Sequence, residues 1–433
     1  MENLKKLSQL KQPDENIPIL PREWINNFHN LKLTRQSDDK SIIVPCTSSN
    51  SFIEDLNPRW FVKSIHENKS KGLYTLYWDS TNKCTDKCPV CFTKKMREHN
   101  GIDSELDFDL AMKRTEELKR RYSDTFQAVN FCGPGEPLVY KHIKSVLSNC
   151  KDIGLTTRLY TNGERLKDDS IRESILKNTG LVRISLDAAE ESTYEKTHGV
   201  SGLQGRLDNT KQLVDERNSS KSQTLIGAHF VIQKANYNEI IPFAEMVKCM
   251  GLDFVIYSQE TLGTVVGGFD IDEKQKIAQS LENATAMHTN EFCVVVPKNV
   301  LRSTLKTFNP NYFAGPDKLS QCFNSKMRGF LGVNNDLSAC WLADFDERFR
   351  EASYIGETRY DSTMGKMYNI IENGLGSHFS NGTFLACDFC CATNYNDMVS
   401  KILRFLDGEK IFDVSLLQHN PEKDKREGYD LII

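Results

Sequence analysis

Between Gly72 and Tyr257 the chain alternates short apolar runs with longer stretches whose apolar residues recur every three to four positions. The runs Gly72–Asp79, Gln127–Cys132, Leu155–Asn162, Leu181–Asp187, Leu225–Ile232 and Phe254–Tyr257 read as strands, and Glu105–Arg121, Tyr140–Cys150, Asp168–Asn178, Gly202–Arg217 and Asn238–Met250 carry the helical period. Strands and helices in strict alternation predict parallel βα units. The fold class is therefore α/β, with the sheet either open or curled into a full or partial barrel. Period two puts Arg183, Ser185 and Asp187 on one face of the fourth strand, with Val182, Ile184 and Leu186 on the other. Arg158, Tyr160 and Asn162 likewise share a face of the third, opposite Thr157, Leu159 and Thr161. A parallel strand buried on both sides should be apolar on both. One polar face fits a barrel lumen that holds a polar ligand; buried charges that pair only with each other are the alternative.

Outside this region the texture changes. Residues 1–72 read as an irregular extension broken by Pro13, Pro18, Pro21, Pro45 and Pro58, with a short helix at Arg22–Leu31 whose Trp24 and Phe28 form a packing face. Residues 73–260 form the alternating domain, 261–320 a less regular bridge with Gly263, Gly267 and Gly268, 321–391 a cysteine-bearing domain, and 392–433 a tail with a charge-dense, solvated stretch around Glu422–Glu427. With 39% hydrophobic residues, including Phe 23, Tyr 14 and Trp 4, the chain can bury a sizeable core, which excludes wholesale disorder. Lys+Arg 55 against Asp+Glu 59 gives a net charge of −4, which argues against a nucleic-acid partner. No apolar run is long enough for a membrane span. Met1–Lys6 lacks a secretory pattern, so a cytoplasmic location is expected.

In such a compartment the 13 cysteines stay reduced, and their odd number forbids complete pairing, so metal binding is the better explanation. Cys84, Cys88 and Cys91 form a C-x3-C-x2-C array just beyond the first strand. Three thiolates on one tight loop, with no fourth cysteine or histidine in it, suggest a centre with one position open; structural zinc is the alternative. Gly133-Pro134-Gly135-Glu136-Pro137 follows the second strand, Thr161-Asn162-Gly163 ends the third and Ser185-Leu186-Asp187 the fourth. Glycine allows close backbone approach and a carboxylate suits an ammonium group. Ligands of parallel α/β sheets sit at carboxyl strand ends, where these segments fall. A second set comprises Cys322 and Cys340, 18 residues apart, then Cys387 and Cys390 with Cys391 adjacent; four thiolates can close a second centre, and a zinc ribbon is the alternative. Cys46, Cys132, Cys150, Cys249 and Cys293 are expected to be inert buried thiols.

The array and the ordered segments after it resemble the radical S-adenosylmethionine (radical SAM) superfamily over Leu73–Cys391. The later cysteines resemble the twitch domain, a shortened SPASM domain, as in the aminocyclitol dehydrogenases, although Asp336 stands where a glycine is usual. The resemblance implies a partial (β/α)6 TIM-type barrel with an N-terminal extension and a small C-terminal twitch-like iron–sulfur domain. It implies that Cys84, Cys88 and Cys91 hold three irons of a site-differentiated [4Fe–4S] cluster whose fourth iron chelates S-adenosylmethionine. Gly133, Gly135 and Glu136 would receive the methionine amino group, His198 or Arg206 the carboxylate, and Asn162, Ser185 and Asp187 would complete the cofactor site. Val90 stands where an aromatic residue usually faces the adenine, and Phe92 follows the last cysteine. One auxiliary [4Fe–4S] cluster would bind Cys322, Cys340, Cys387 and either Cys390 or Cys391. The implied activity is reductive cleavage to a 5′-deoxyadenosyl radical, which takes hydrogen from a small-molecule substrate such as an aminocyclitol, sugar or nucleoside. The auxiliary cluster would accept the electron, making an oxidoreductase served by a flavodoxin- or ferredoxin-type donor. Tyr257, Glu260 and Arg328 are the candidates for handling a substrate proton. Peptide-modifying maturases, redox-neutral sugar enzymes and a pure electron carrier are the alternatives.

Overall fold

A computed structural model describes residues 72–91, 93–259, 269–289, 291–296 and 328–338, Tyr368, and four peripheral strands. The expected strands are all present as β1 (Thr75–Trp78), β2 (Ala128–Phe131), β3 (Thr156–Thr161), β4 (Thr179–Ser185), β5 (Leu225–Ile232) and β6 (Phe254–Gln259). They pair in parallel in chain order, with registers such as Leu76↔Val129, Asn130↔Arg158 and Ser185↔His229. The connections are α1 (Lys94–Asn100) and α2 (Phe108–Arg121) after β1, α3 (Ile143–Asp152) after β2, and α4 (Asp169–Asn178) after β3. They continue with α5 (Glu191–His198) and α6 (Leu203–Ser220) after β4, and α7 (Ile240–Cys249) after β5. The α/β expectation therefore holds as a partial-barrel parallel sheet.

Two further parallel strands extend the sheet. Part of the segment expected to be an irregular bridge forms α8 (Ile271–Thr285) and β7 (Cys293–Val295), which pairs with β6. The helix is started by a capping box in which Asp270 and Glu273 each accept the other's backbone N–H. On the other edge β8 (Arg328–Leu331) pairs in parallel with β1, and β9 (Leu337–Ser338) and β10 (Tyr354–Gly356) continue antiparallel. The N-terminal extension and the tail are not wholly irregular either. Leu31–Arg35 pairs antiparallel with Lys40–Val44 and parallel with Tyr429–Ile432. The helix expected at Arg22–Leu31 and the charged stretch around Glu422–Glu427 lie outside the described residues, save Leu31, which starts a strand.

Alternation sorts the strands into two faces. Leu76, Trp78, Val129, Phe131, Leu159, Val182, Ile184, Ala228, Phe230 and Val255 join helix residues such as Leu118, Val146, Ile175, Leu213 and Phe243 in the main core. The opposite, inner face is polar along β2–β4 and apolar near the amino ends of β4–β7. There Leu181, Leu225, Phe254, Ile256, Cys293 and Val295 form a separate cluster with Tyr160. Gly227 makes that cluster possible: a Cβ on it would sit 2.2 Å from the Phe254 ring. These side chains close the inner space from below and leave its polar part facing the carboxyl ends.

The helix layer is tied down by buried charge. Arg217 on α6 donates to the Asp253 carboxylate just before β6 and, at 3.1 Å, to Gly251 O, while Asp253 also accepts the Ile226 N–H of β5 at 2.8 Å. Removing one member of such a pair strands the other charge in the core. Asp253→Ala is therefore expected to cost about 3–5 kcal/mol, read as a lowered urea midpoint with an unchanged denaturation slope.

Candidate functional site

The loop from Asp79 to Cys91 crosses the carboxyl ends of β1–β4 and is held at almost every residue. Its first part is stitched to the chain before α2: Asn82 N donates to Ser104 O (2.9 Å), Asn82 Nδ2 to Gly101 O (2.7 Å), and Leu106 N to Ser80 O (3.0 Å). Its middle rests on the segment after β2. Gly135 N donates to Thr81 O (3.0 Å) and Glu136 N to Lys83 O (2.7 Å), and a Cβ on Gly135 would lie 2.3 Å from Lys83 O. Farther along, Asn162 Nδ2 donates to Thr85 Oγ1 (2.8 Å) and Lys87 N to His198 O (2.9 Å). Gly199, at φ +68°, lets Lys87 O approach to 2.4 Å of where its Cβ would be. Two close backbone contacts, at Gly135 and Gly199, thus clamp the loop between the ends of β2 and α5.

The thiols sit on the outside of this clamp. Cys84 is exposed, and Cys88 and Cys91 are half-buried. Thr93 Oγ1 lies 3.2 Å from Cys91 Sγ while donating to Pro134 O (2.9 Å), and Arg97 Nη2 donates to Cys91 Sγ (3.8 Å). His198 Nδ1 is 3.8 Å from Cys88 Sγ. Thiolate sulfur gains from such donors.

Glu136 is buried beneath the loop. Its carboxylate accepts from Thr161 Oγ1 (2.6 Å), Leu138 N (3.0 Å) and Asn162 N (2.8 Å), so it locks the end of β2 to the end of β3. Burial nevertheless pushes it up to about 7, against the pull of these donors. Asn162 is itself fixed, since its Oδ1 accepts the Glu164 N–H (3.1 Å).

A second group of buried charges surrounds Asp86. One oxygen accepts from Arg206 Nη2 (2.6 Å), and the other is 2.9 Å from His198 Nδ1. His198 Nε2 is 3.2 Å from Asp187 Oδ2. Asp187 has φ +53° and accepts the Val231 N–H through its other oxygen (2.6 Å). Tyr194 stacks on the His198 ring at 4.2 Å. Burial alone would lower the His198 pKa, but Asp187, Asp86 and Cys88 hold it well above the ordinary value.

Below this lies the polar inner face. Arg183 packs over the Tyr160 ring at 4.0 Å, and Arg158 Nη1 donates to Asn130 Oδ1 (3.4 Å). His229, level with Ser185, is hydrogen-bonded through Nε2 to Ser258 Oγ (2.7 Å). Burial, then the Arg183 charge, lowers His229 to about 3, so it is a neutral imidazole.

The structure therefore brings together Cys84, Cys88, Cys91, Val90, Gly133, Gly135, Glu136, Asn162, Asp187, His198 and Arg206 around one loop, with Ser185 on the inner face beneath. His198 and Arg206 reach the site but are engaged by Asp86, which lies inside the cysteine array yet belongs to none of the recognised segments. Of the candidates for proton handling, Tyr257 is corrected: it faces the helices, where its hydroxyl donates to Ile240 O (2.6 Å). Strand parity explains this, because Phe254, Ile256 and Ser258 take the inner face of β6. Arg328 is buried on β8, with its guanidinium 5.9 Å from the Tyr77 ring centre. Glu260, Phe92 and all of Cys322, Cys340, Cys387, Cys390 and Cys391 lie outside the described residues.

Residues 78–247 match the family model described as Radical SAM superfamily. This segment is a radical SAM domain. Among curated proteins, the chain is 25% identical over 186 residues to a tungsten-containing aldehyde ferredoxin oxidoreductase cofactor-modifying protein of Pyrococcus furiosus, covering 42% of this chain and 50% of that protein. It is 31% identical over 141 residues to a 7,8-dihydro-6-hydroxymethylpterin dimethyltransferase of Methanocaldococcus jannaschii, covering 31% and 27%. A probable GTP 3′,8-cyclase of Saccharolobus islandicus matches at 22% over 262 residues, 58% and 80% of the two chains. The chain thus spans only half, or less, of the length of the first two relatives. Among solved structures, Streptococcus suis SuiB has the same fold at TM-score 0.52 and 15% identity, over 79% of this chain and 78% of that one.

The superfamily implies S-adenosylmethionine and a [4Fe–4S] cluster, and the residues fit both. The donor set is three thiols on a clamped loop, with N–H donors near two sulfurs. Gly133 has φ +27°, and the nearest atoms to where its Cβ would stand are backbone atoms of Asp79 and Ser80 at 3.6 Å, so backbone and not side chain lines that spot.

Two results are expected. Gly135→Ala should drive the Lys83 carbonyl aside, lower the iron content by up to about four per chain, the share of one cubane, and cost about 1–3 kcal/mol, read by iron assay and thermal melting. Glu136 titrates with a folded-state value above its ordinary 4.5, so the folded state holds the proton longer. Its contribution to stability is present below about pH 4.5 and is lost as pH rises toward about 7, with a slope of at most about 1.4 kcal/mol per pH unit. Glu136→Gln should remove that part of the pH dependence in denaturation curves taken across this window.

Proposed function

We propose that this radical SAM enzyme abstracts hydrogen from a small polar molecule bound over the inner face, and that the net reaction is an oxidation. The carrying observation is placement: the cysteine loop is clamped over a polar surface of Arg158, Tyr160, Arg183, Ser185 and His229 that is sealed from below by an apolar cluster. When bound, the cluster and S-adenosylmethionine supply a 5′-deoxyadenosyl radical.

The chain's own residues then have the following roles. Cys84, Cys88 and Cys91 hold the cluster. The backbone at Gly133 and Gly135 and the Glu136 carboxylate receive the methionine ammonium, while Asn162 and Asp187 shape the walls. Arg206 and His198 lend positive charge to the methionine carboxylate from behind Asp86. The neutral His229 and Ser258 offer a donor–acceptor pair to substrate hydroxyls or ring nitrogens. Arg183, 4.0 Å over the Tyr160 ring, orients acceptor oxygens. The apolar floor keeps water from the radical's surroundings.

The relatives' names support a small polar substrate, since they mention a cofactor, a pterin and GTP. The oxidative outcome rests on the later cysteines as an auxiliary cluster that takes the substrate electron. The relatives named as a cyclase and a methyltransferase keep a redox-neutral outcome as the second reading.

Iron and sulfide are measured after anaerobic reconstitution of wild type and of Cys84/Cys88/Cys91→Ala. About eight irons falling to about four, at four per cubane, supports two independent clusters, and 5′-deoxyadenosine formation on reduction should vanish with the first. About four irons falling to none, with zinc retained elsewhere, removes the electron acceptor and makes the redox-neutral outcome the reading to pursue. Deuterium passing from a labelled candidate substrate into 5′-deoxyadenosine identifies the substrate class.

A further inference from the structure

The buried group around Asp86 does more than brace the loop. Asp86 Oδ2, Cys88 Sγ and one nitrogen of His198 all lie within 4.8 Å of one another. The nitrogen is Nδ1, 2.9 Å from the Asp86 oxygen and 3.8 Å from the Cys88 sulfur. A tetrahedral zinc ion would set ligand atoms roughly 3.3 Å (N···O) and 3.6 Å (S···N) apart, so both pairs that involve His198 are within a few tenths of an ångström of a coordination sphere, and the Asp86–Cys88 pair lies within 4.8 Å. A second, independent feature points the same way. His198 Nε2 faces Asp187 Oδ2 at 3.2 Å, which is how a carboxylate usually fixes the tautomer and aim of a metal-bound imidazole. The ring is further held by stacking on Tyr194, and the free Asp86 oxygen by Arg206. Cys88 is half-buried.

We propose that Asp86, Cys88 and His198 form a mononuclear site for a divalent transition metal, zinc above iron by the usual affinity order, in the chain that has not yet received its cluster. The metal replaces the proton between Nδ1 and Asp86. Because Cys88 is also one of the three cluster ligands, the two states exclude one another. A metal ion taken up here leaves only Cys84 and Cys91 for the cluster and blocks its assembly. The site depends on the radical SAM assignment of Cys88 only for this last consequence, not for metal binding itself.

Full-length protein is freed of metal anaerobically and titrated with Co2+, followed by its thiolate charge-transfer and ligand-field bands, and then displaced with Zn2+. Whatever the later cysteines take up is common to all variants, so the readout is the equivalent that each variant loses. His198→Ala and Asp86→Asn should lose one equivalent, and Asp187→Asn should bind that equivalent about 10- to 100-fold more weakly. Cys84→Ala/Cys91→Ala should retain it. Circular dichroism checks folding, and Asp187→Asn, which removes no ligand, keeps the test valid if His198→Ala fails to fold. One equivalent of Zn2+ added before iron and sulfide should slow cluster formation in wild type and in Cys→Ala variants of the later set alike. Loss of the equivalent in Cys84→Ala/Cys91→Ala with full retention in His198→Ala would overturn the proposal in favour of a three-thiolate site. Equal stoichiometry and affinity in all variants would overturn it outright, and neither result would touch the assignment of the cluster ligands.

Discussion

The cofactor end of this molecule depends on one carboxylate, Asp86, taken out of water inside the cysteine loop. A buried carboxylate is tolerated only when its charge is met by partners of good geometry. Here the partners come from α6 (Arg206) and the end of α5 (His198), and His198 is in turn met by Asp187 at the end of β4. A loop that carries three reactive thiols is thereby fixed to elements that belong to the far half of the sheet. The backbone contacts at Gly135 and Gly199 then leave it no room to slide.

The sheet divides its labour by strand parity. One set of side chains feeds the helix-covered core; the other makes an apolar floor near the amino ends of β4–β7 and a polar surface above it. Polar side chains are affordable there because each is matched locally: Arg183 by Tyr160, Arg158 by Asn130, His229 by Ser258. The same rule accounts for the neutrality of His229, since burial beside a guanidinium leaves no reason to carry a second positive charge.

Much of this was legible in the residues. The six strands, the two-faced pattern of Arg158/Tyr160 and Arg183/Ser185, and the cysteine array all follow from local spacing. What escaped was long-range. Asp86 and His198 are 112 positions apart, and nothing local says that they meet. Strand β8 looks like any short run near Arg328 until it is paired with β1. The strand Leu31–Arg35 needs Tyr429–Ile432 from the other end of the chain. Two misses were avoidable. Asp270-x-x-Glu273 is a helix-start signal inside the supposed bridge, and counting by twos along β6 places Tyr257 among the helices.

The pairing of β8 with β1 has a consequence for how the molecule is made. Asp79, the first residue of the cysteine loop, donates its N–H to Leu331 O at 2.9 Å. That carbonyl leaves the ribosome some 250 residues after the strand it completes, a contact of very long sequence separation, and such contacts form late. During synthesis the β1 edge and the thiol-bearing loop beyond it therefore stay incompletely bordered while β2–β7 are already available. The order of synthesis therefore leaves the sheet edge beside the thiol-bearing loop unpaired until β8 emerges, so the nascent protein presents its cysteines on a sheet whose border is not yet complete.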